Sequence, residues 1–173
     1  MNLADFRRLA ETRRSVRAYK PDPVPEDLLR DILDAARLAP SACNKQPWRF
    51  VVLRDPAAIR RLAPAYSRDW FLAAPVVVAV CVSPAEGWVR PYDARSYAFV
   101  DGAIAMDHLT LAAAAAGLGT CWIAAFEPEA ARAALSLPDG WEIVALTPLG
   151  YPAHDPSPRP RSRKPLSDVL AHP

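Results

Sequence analysis

Apolar and polar residues alternate along this chain with two different periods. Leu3, Phe6 and Leu9 recur at helical spacing and predict a short helix that ends before a run of arginines. A second helix opens at Pro25, with Leu28, Leu29, Ile32, Leu33 and Ala36 on one apolar face. Glu26 and Asp27 fall in its first turn, where the helix dipole favours acids, and Pro40 stops it because proline disfavours helical geometry in the residue before it. Trp48 to Leu53 reads as a strand, and Asp55-Pro56 starts a helix to about Ala63. Pro75 to Val82 is a continuous β-branched run, the pattern of a strand buried on both faces. A loop rich in Pro, Gly and aromatics follows from Ser83 to Arg95. A long, alanine-rich helix then runs from about Tyr97 to Ala116 and ends at Gly117-Leu118-Gly119. Beyond it come a short strand at Cys121 to Ile123, a helix at Pro128 to Leu135 and a strand at Trp141 to Leu149.

The segment from Pro152 to Pro165 is proline-rich and basic, which predicts an extended arm, with Leu166 to Leu170 docking as a last short element. No internal repeat or composition break precedes it. The organisation expected is therefore a single domain over residues 1–173 with an arm at about 152–173. Helices and strands alternate, but the strands are few and unevenly spaced, so an α+β fold with a mixed sheet suits the pattern better than a doubly wound one. No Gly-x-Gly-x-x-Gly follows a strand and no Gly-x-x-x-x-Gly-Lys-Ser/Thr occurs, which removes the sequence support for dinucleotide-binding and P-loop readings.

Composition narrows the class. Hydrophobic residues make up 51% and charged residues 23% of the chain, a globular balance. The net charge of +2 argues against nucleic-acid binding driven by bulk charge and leaves room for a local anion site. Cys43, Cys81 and Cys121 are an odd, widely spaced set, which points away from a disulfide framework and toward a reducing cytoplasm. The charged N-terminus is unlike a signal peptide, and Asp101, Asp107 and His108 inside the most apolar stretch, Phe99 to Leu118, point to a helix buried in protein and not in a membrane.

Two clusters carry candidate chemistry. Arg13, Arg14, Ser15 and Arg17 lie within five positions, and in an extended segment Arg13, Ser15 and Arg17 share a side. Guanidinium forks match phosphate oxygens, so the set reads either as a phosphate clamp or as a solvated basic connection. The proline-bracketed loop Pro40-Ser41-Ala42-Cys43-Asn44-Lys45-Gln46-Pro47 brings a hydroxyl and two amides just before Trp48. Asn44 and Gln46 offer both donor and acceptor, as the edge of a flat heterocycle such as a flavin or pterin requires, while the same residue types also make ordinary turns. Arg159, Arg161, Arg163 and Lys164 form the most basic stretch, either a solvated tail or an arm completing the clamp. His108, His154 and His172 are scattered, and Cys43 has no base beside it in sequence, so neither a metal site nor a Cys-His nucleophile is indicated. Trp48, Trp122 and Trp141 flank strands and read as core.

Taken in order, these segments resemble the nitroreductase family of FMN-dependent oxidoreductases. Arg13 to Arg17 and Ala39 to Trp48 resemble its opening motifs, and Gly117-Leu118-Gly119-Thr120-Cys121-Trp122-Ile123 its second signature. Leu146 to Pro152 and Arg161-Ser162-Arg163-Lys164-Pro165-Leu166 resemble its C-terminal ones. The resemblance implies a central, mostly antiparallel sheet wrapped by helices, in an intertwined homodimer with FMN at the subunit interface. It places Arg13, Ser15, Arg161 and Arg163 around the ribityl phosphate and Arg17 near the flavin pyrimidine, with Arg14 counted among the cofactor-binding residues. Pro40, Ser41 and Asn44 from the second subunit would line the ring, with Gln46 nearby, and backbone N–H groups at about Ala124 and Ala125 would face N5. The flavin performs the chemistry, so no catalytic side chain is implied. The expected reaction passes hydride from NADH or NADPH through flavin N5 to an electron-poor acceptor such as a nitroaromatic or a quinone. Alternatives are flavin fragmentation, dehalogenation or enal reduction on the same scaffold, or a flavin-binding module without turnover. The chain departs from the family pattern at Ala124-Ala125, and at Tyr66 and Asp69 where many members carry Asn and Lys. The short Ser83 to Tyr97 segment leaves Trp88, Arg90, Tyr92 and Arg95 as candidates for a substrate cap.

Overall fold

The computed structural model describes residues 2–154 and 162–171. Six helices surround a four-stranded sheet: α1 (Leu3–Thr12), α2 (Glu26–Arg37), β1 (Trp48–Leu53), α3 (Pro56–Arg60), α4 (Asp69–Leu72), β2 (Val76–Val82), α5 (Ala98–Ala115), β3 (Gly119–Thr120), α6 (Pro128–Leu135) and β4 (Glu142–Gly150). Local chemistry sets the boundaries. Asn2 accepts the Asp5 N–H while Asp5 returns a bond to the Asn2 N–H, closing a capping box on α1. Asp55 accepts from Ala57 and Ala58 ahead of Pro56 at the start of α3. At the other end of α5, Gly117 adopts φ +75°, and the Leu118 N–H reaches back to the Ala113 carbonyl, turning the chain sharply into β3.

The sheet order is β1-β2-β4-β3, with every named pair antiparallel. The mixed sheet suggested by spacing is thus corrected: among the described residues the one parallel pairing is an isolated bridge between Ser15 and Thr120. β2 is buried at all seven positions. Its alternation divides it, since Val76, Val78 and Val80 face a core built with α2 and α5, whereas Val77, Ala79 and Cys81 face a second core with α3, α4 and α6. Continuous apolar runs are the usual mark of parallel strands; here an antiparallel strand has the same pattern because helices cover both faces. Each fully buried valine of β2 contributes about 1.5–3 kcal/mol relative to exposure.

Three boundaries differ from the sequence reading. The strand expected at Cys121 to Ile123 begins earlier, as Gly119–Thr120, and Ile123 pairs only through an isolated bridge with Leu146. Helix α4 was not foreseen, since four residues are too few to show a period. Leu166–Asp168 does form a single 3-10 turn, but Leu166, Val169 and Leu170 are exposed, so this element does not dock on its own chain. Trp122 is likewise exposed, unlike the buried Trp141. Helix α5 is long and apolar enough to cross a membrane by length and composition, yet it packs on β2 and β4 and carries the buried Asp101.

Close packing of α5 on the sheet depends on Gly102. A Cβ there would lie 2.6 Å from Val82 Cγ1 and 2.8 Å from Val144 Cγ2, both stiff β-branched side chains. Gly102→Ala should therefore destabilise the fold by about 1–3 kcal/mol despite the better helix propensity of alanine, read as a lower midpoint in urea denaturation. An unchanged or raised midpoint would show that the helix can lift away freely.

Candidate functional site

After α1 the chain runs extended, and two sets of hydrogen bonds fix it. The Val16 N–H donates to the Thr120 carbonyl at 2.8 Å, which lays the segment beside β3. The Lys20 N–H donates to the Tyr151 carbonyl and the Ala153 N–H to the Ala18 carbonyl, which tie it to the chain leaving β4. Ser15 and Arg17 are exposed while Val16 and Ala18 are partly buried, the alternation expected of an extended segment. Val16 packs so closely on Gly119 that a Cβ there would come within 2.7 Å of it. Glycine at 119 is what lets the arginine segment lie flat against the sheet.

This packing opens a cleft of about 500 Å³ lined by residues 12–18, Ala114, residues 117–120, Pro152 and His154. The electrostatics are uneven. The C-terminal ends of α1 and α5 both meet at the cleft, and each disfavours an anion by about 0.3–1 kcal/mol. A charge-assisted bond from a guanidinium is worth about 1.5–3 kcal/mol, and Arg13, Arg14 and Arg17 all line the cavity, so the cations decide its sign. With the Ser15 hydroxyl among them, the donor set and volume suit a phosphate-bearing ligand. Arg17 also borders a second hollow of about 460 Å³ with Tyr66, Ser67, Arg68, Asp69 and Trp70, and its guanidinium stands 5.9 Å from the Trp70 ring centre. Sequence reading stopped short of this hollow at Tyr66 and Asp69; the signal for it was the aromatic and charged run before β2.

The other predicted cluster stands elsewhere. Ala42 to Asn44 form a single 3-10 turn, with Cys43, Asn44 and Gln46 all at positive φ (50°, 53° and 50°). The Ser41 hydroxyl oxygen accepts the Gln46 N–H at 2.9 Å, so it serves the turn itself, and Gln46 Nε2 donates to the carbonyl and Oδ1 of Asn44. Pro40, Asn44 and Gln46 are exposed, and the loop rests on the first turn of α5 through a bond from the Ala42 N–H to Asp101. The arginine cleft lies at the far end of that helix, beside Ala114. Thirteen residues at a 1.5 Å rise set the two about 20 Å apart along the axis. Within one chain they do not face a common ligand.

The remaining candidates are placed as follows. Ala124 and Ala125 are exposed just past the Ile123–Leu146 bridge and do not line the cleft. Arg163 is exposed, bonds the Ser162 carbonyl and stays outside the cleft lining, and Arg161 lies outside the described residues. In the 83–97 segment Trp88 packs edge-on against Tyr97, and Arg90 bonds both Asp93 and the Tyr97 hydroxyl, leaving Tyr92 and Arg95 exposed. His108 bonds the Ile104 carbonyl in its own helix. No cluster of metal-ligating groups occurs among the described residues.

Comparison with known proteins agrees with the motifs. The nitroreductase family profile matches residues 10–70 and 64–151. A Thermus thermophilus protein named NADH dehydrogenase is 37% identical, over 96% of this chain and 95% of its own. The 5,6-dimethylbenzimidazole synthase of Rhodospirillum rubrum is 34% identical, over 85% and 82%. A crystal structure of a nitroreductase family protein from Clostridium difficile 630 superposes with a TM-score of 0.87 at 32% identity, covering 99% of this chain and 98% of that one. Another solved structure, described as an oxidoreductase containing FMN, superposes with a TM-score of 0.79 at 25% identity, over 94% and 89%.

The arginine segment also has a partly buried latch. The Tyr19 hydroxyl donates to the Val16 carbonyl at 2.7 Å, and burial, with a smaller push from Cys121, raises the phenol far above its usual range against the opposing pull of Arg17. Because the folded-state value is raised, Tyr19 adds no pH dependence below the ordinary value of about 10 and costs stability as pH rises above it, where the unfolded phenol ionises first. Tyr19→Phe should cost about 0.5–1.5 kcal/mol at pH 8 and should flatten the fall in stability between pH 10 and 11, both measured by denaturant titration.

Proposed function

The chain belongs to the nitroreductase family, and we propose that it acts as a flavin-dependent oxidoreductase, holding FMN and passing hydride from NADH or NADPH through flavin N5 to an electron-poor acceptor such as a nitroaromatic or a quinone. The observation that carries this reading is the cleft whose three arginines override two helix C-termini to favour an anion. When bound, FMN supplies the hydride chemistry, and the protein contributes position and charge. Arg13, Arg14 and Ser15 hold the ribityl phosphate. Arg17, shared between the cleft and the Tyr66–Trp70 hollow, offers positive charge toward the pyrimidine end, where it favours the reduced ring. Backbone N–H groups of Ala124 and Ala125 serve as donors toward N5. No side chain is assigned as a general acid.

With the loop and the cleft at opposite ends of α5, a complete site needs a second copy of the chain. A symmetric pair of chains brings the Pro40, Ser41, Asn44 and Gln46 loop of one to the cleft of the other. Exposed apolar side chains on α5 (Phe99, Val100), on α1 (Leu3, Phe6) and in the C-terminal segment (Leu166, Val169, Leu170) support a face covered by such a copy. Arg161 and Arg163 complete the phosphate contacts in this proposal. Three unpaired thiols suit the cytoplasm. The 5,6-dimethylbenzimidazole synthase relative favours one rival, in which the same site cleaves reduced flavin under oxygen.

Purified protein should be yellow or take up FMN, and stopped-flow mixing with NADH or NADPH should bleach the flavin band before an added quinone restores it. Colourless protein that binds no FMN overturns the proposal, and a benzimidazole product from excess reduced FMN under oxygen would favour the rival. The shared site has its own test. Arg13→Ala and Asn44→Ala should each weaken FMN binding about 10- to 100-fold, the loss of one charge-assisted or buried hydrogen bond. Mixed and refolded together, they should regain about a quarter of the sites, because half the random pairs carry one intact site. No regain would place both residues in the same subunit's site.

A further inference from the structure

The Pro40–Gln46 loop is rich in internal hydrogen bonds and poor in hydrogen bonds to the rest of the protein. Its internal bonds run from Asn44 N–H to the Ser41 carbonyl, Lys45 N–H to the Ala42 carbonyl, Gln46 N–H to Ser41 Oγ, and Gln46 Nε2 to Asn44. These fix its shape. Cys43, Asn44 and Gln46 at positive φ make that shape a strained one for residues with a Cβ, and strain persists only where the surroundings over-determine the backbone. Among the described residues, a single hydrogen bond joins residues 41–46 to another part of the protein: the Ala42 N–H donates to Asp101 Oδ1 at 3.0 Å, across 59 positions of sequence.

Asp101 is itself anomalous. It is 2% exposed in the most apolar helix of the chain, and its second oxygen, Oδ2, is buried with no partner among the described residues. A carboxylate in the first turn of a helix gains from the dipole whether or not it is buried, so helix stability alone asks only for an exposed acid. A buried oxygen without a partner works against folding. Burial of an acid at 101 therefore needs another reason, and the bond to Ala42 supplies one.

We propose that Asp101 is a positioning residue: its carboxylate latches the Pro40–Gln46 loop to the head of α5, and so sets where the Asn44 and Gln46 amides stand. This rests on the flavin reading only for its consequence. The latch would hold half of a ligand site that the same chain cannot complete, and loss of the latch would weaken FMN binding without touching the arginine cleft 20 Å away along α5.

Trypsin tests the latch without any flavin, because the exposed Lys45 precedes Gln46 inside the loop. In the flavin-free protein, Asp101→Ala should accelerate cleavage at Lys45–Gln46, identified by mass spectrometry, about tenfold or more, the order expected for loss of one charge-assisted hydrogen bond. FMN affinity should fall by a similar factor. Asp101→Asn keeps an acceptor oxygen and should stay within about threefold of wild type in both measurements. If Asp101→Ala fails to fold, Ala42→Pro removes the donor instead. Ser41 is extended with ψ 155°, the geometry favoured before a proline, and Ala42 is not at positive φ, so proline suits the site and cleavage should accelerate as in Asp101→Ala. Cleavage unchanged in the donor and acceptor variants alike, or Asp101→Asn as impaired as Asp101→Ala, overturns the proposal. Wild-type protein that binds no FMN overturns the flavin reading instead, and the proteolysis contrast still decides the latch.

Discussion

Strand β2 has no polar face, and that constraint organises the molecule. Val76, Val78 and Val80 must be covered from one side and Val77, Ala79 and Cys81 from the other, so two separate helical layers are needed where an ordinary antiparallel sheet needs one. With both of its faces occupied, β2 cannot host a ligand on its surface. Polar function is pushed to the strand ends and the helix termini, which is where the arginine segment and the Pro40–Gln46 loop both lie. Burial also raises the Cys81 thiol to about 12, against a small opposing pull from Arg49, leaving Cys43 as the exposed thiol of the three.

The cleft is an example of a site built against its local field. Helix termini often attract phosphate, but by their N-terminal ends; here two C-terminal ends converge. The arginines reverse the sign only because Gly119 lets their backbone lie against β3 and Tyr19 fastens it from behind. A cluster of cations is thus held by apolar packing at Val16 and by the partly buried Tyr19 phenol, which does not line the cleft.

The major elements were legible because each carried its own period or punctuation: Trp48–Leu53 and Pro128–Leu135 were read to the residue, and β2 announced itself as an unbroken β-branched run. What failed was short or depended on distant partners. The four residues of α4 are too few to establish a period, and β3 starts at Gly119 because the Gly117 turn and pairing to β4 decide it, not propensity. The alternation of exposed Ser15 and Arg17 with partly buried Val16 and Ala18 fits an extended segment, yet no local signal could say that this segment lies beside β3. Asp101 was visible from the outset as an acid in an apolar run, and served only to argue against a membrane span. Its bond to Ala42, so far away in sequence, could not be read from spacing. The separation of the loop from the cleft was equally hidden, because it depends on which end of α5 each one touches.

Helix α5 therefore serves as a yardstick as well as a core element. Its head carries the loop and its tail carries the cleft, and Gly102 pins the middle to the sheet. One residue added or removed between Asp101 and Ala114 would shift one end by about 1.5 Å and swing it by about 100° relative to the other. Change in chain length is then confined to the segments beyond either end, such as 83–97, where the chain can lengthen or shorten while the distance between the two polar ends stays the same.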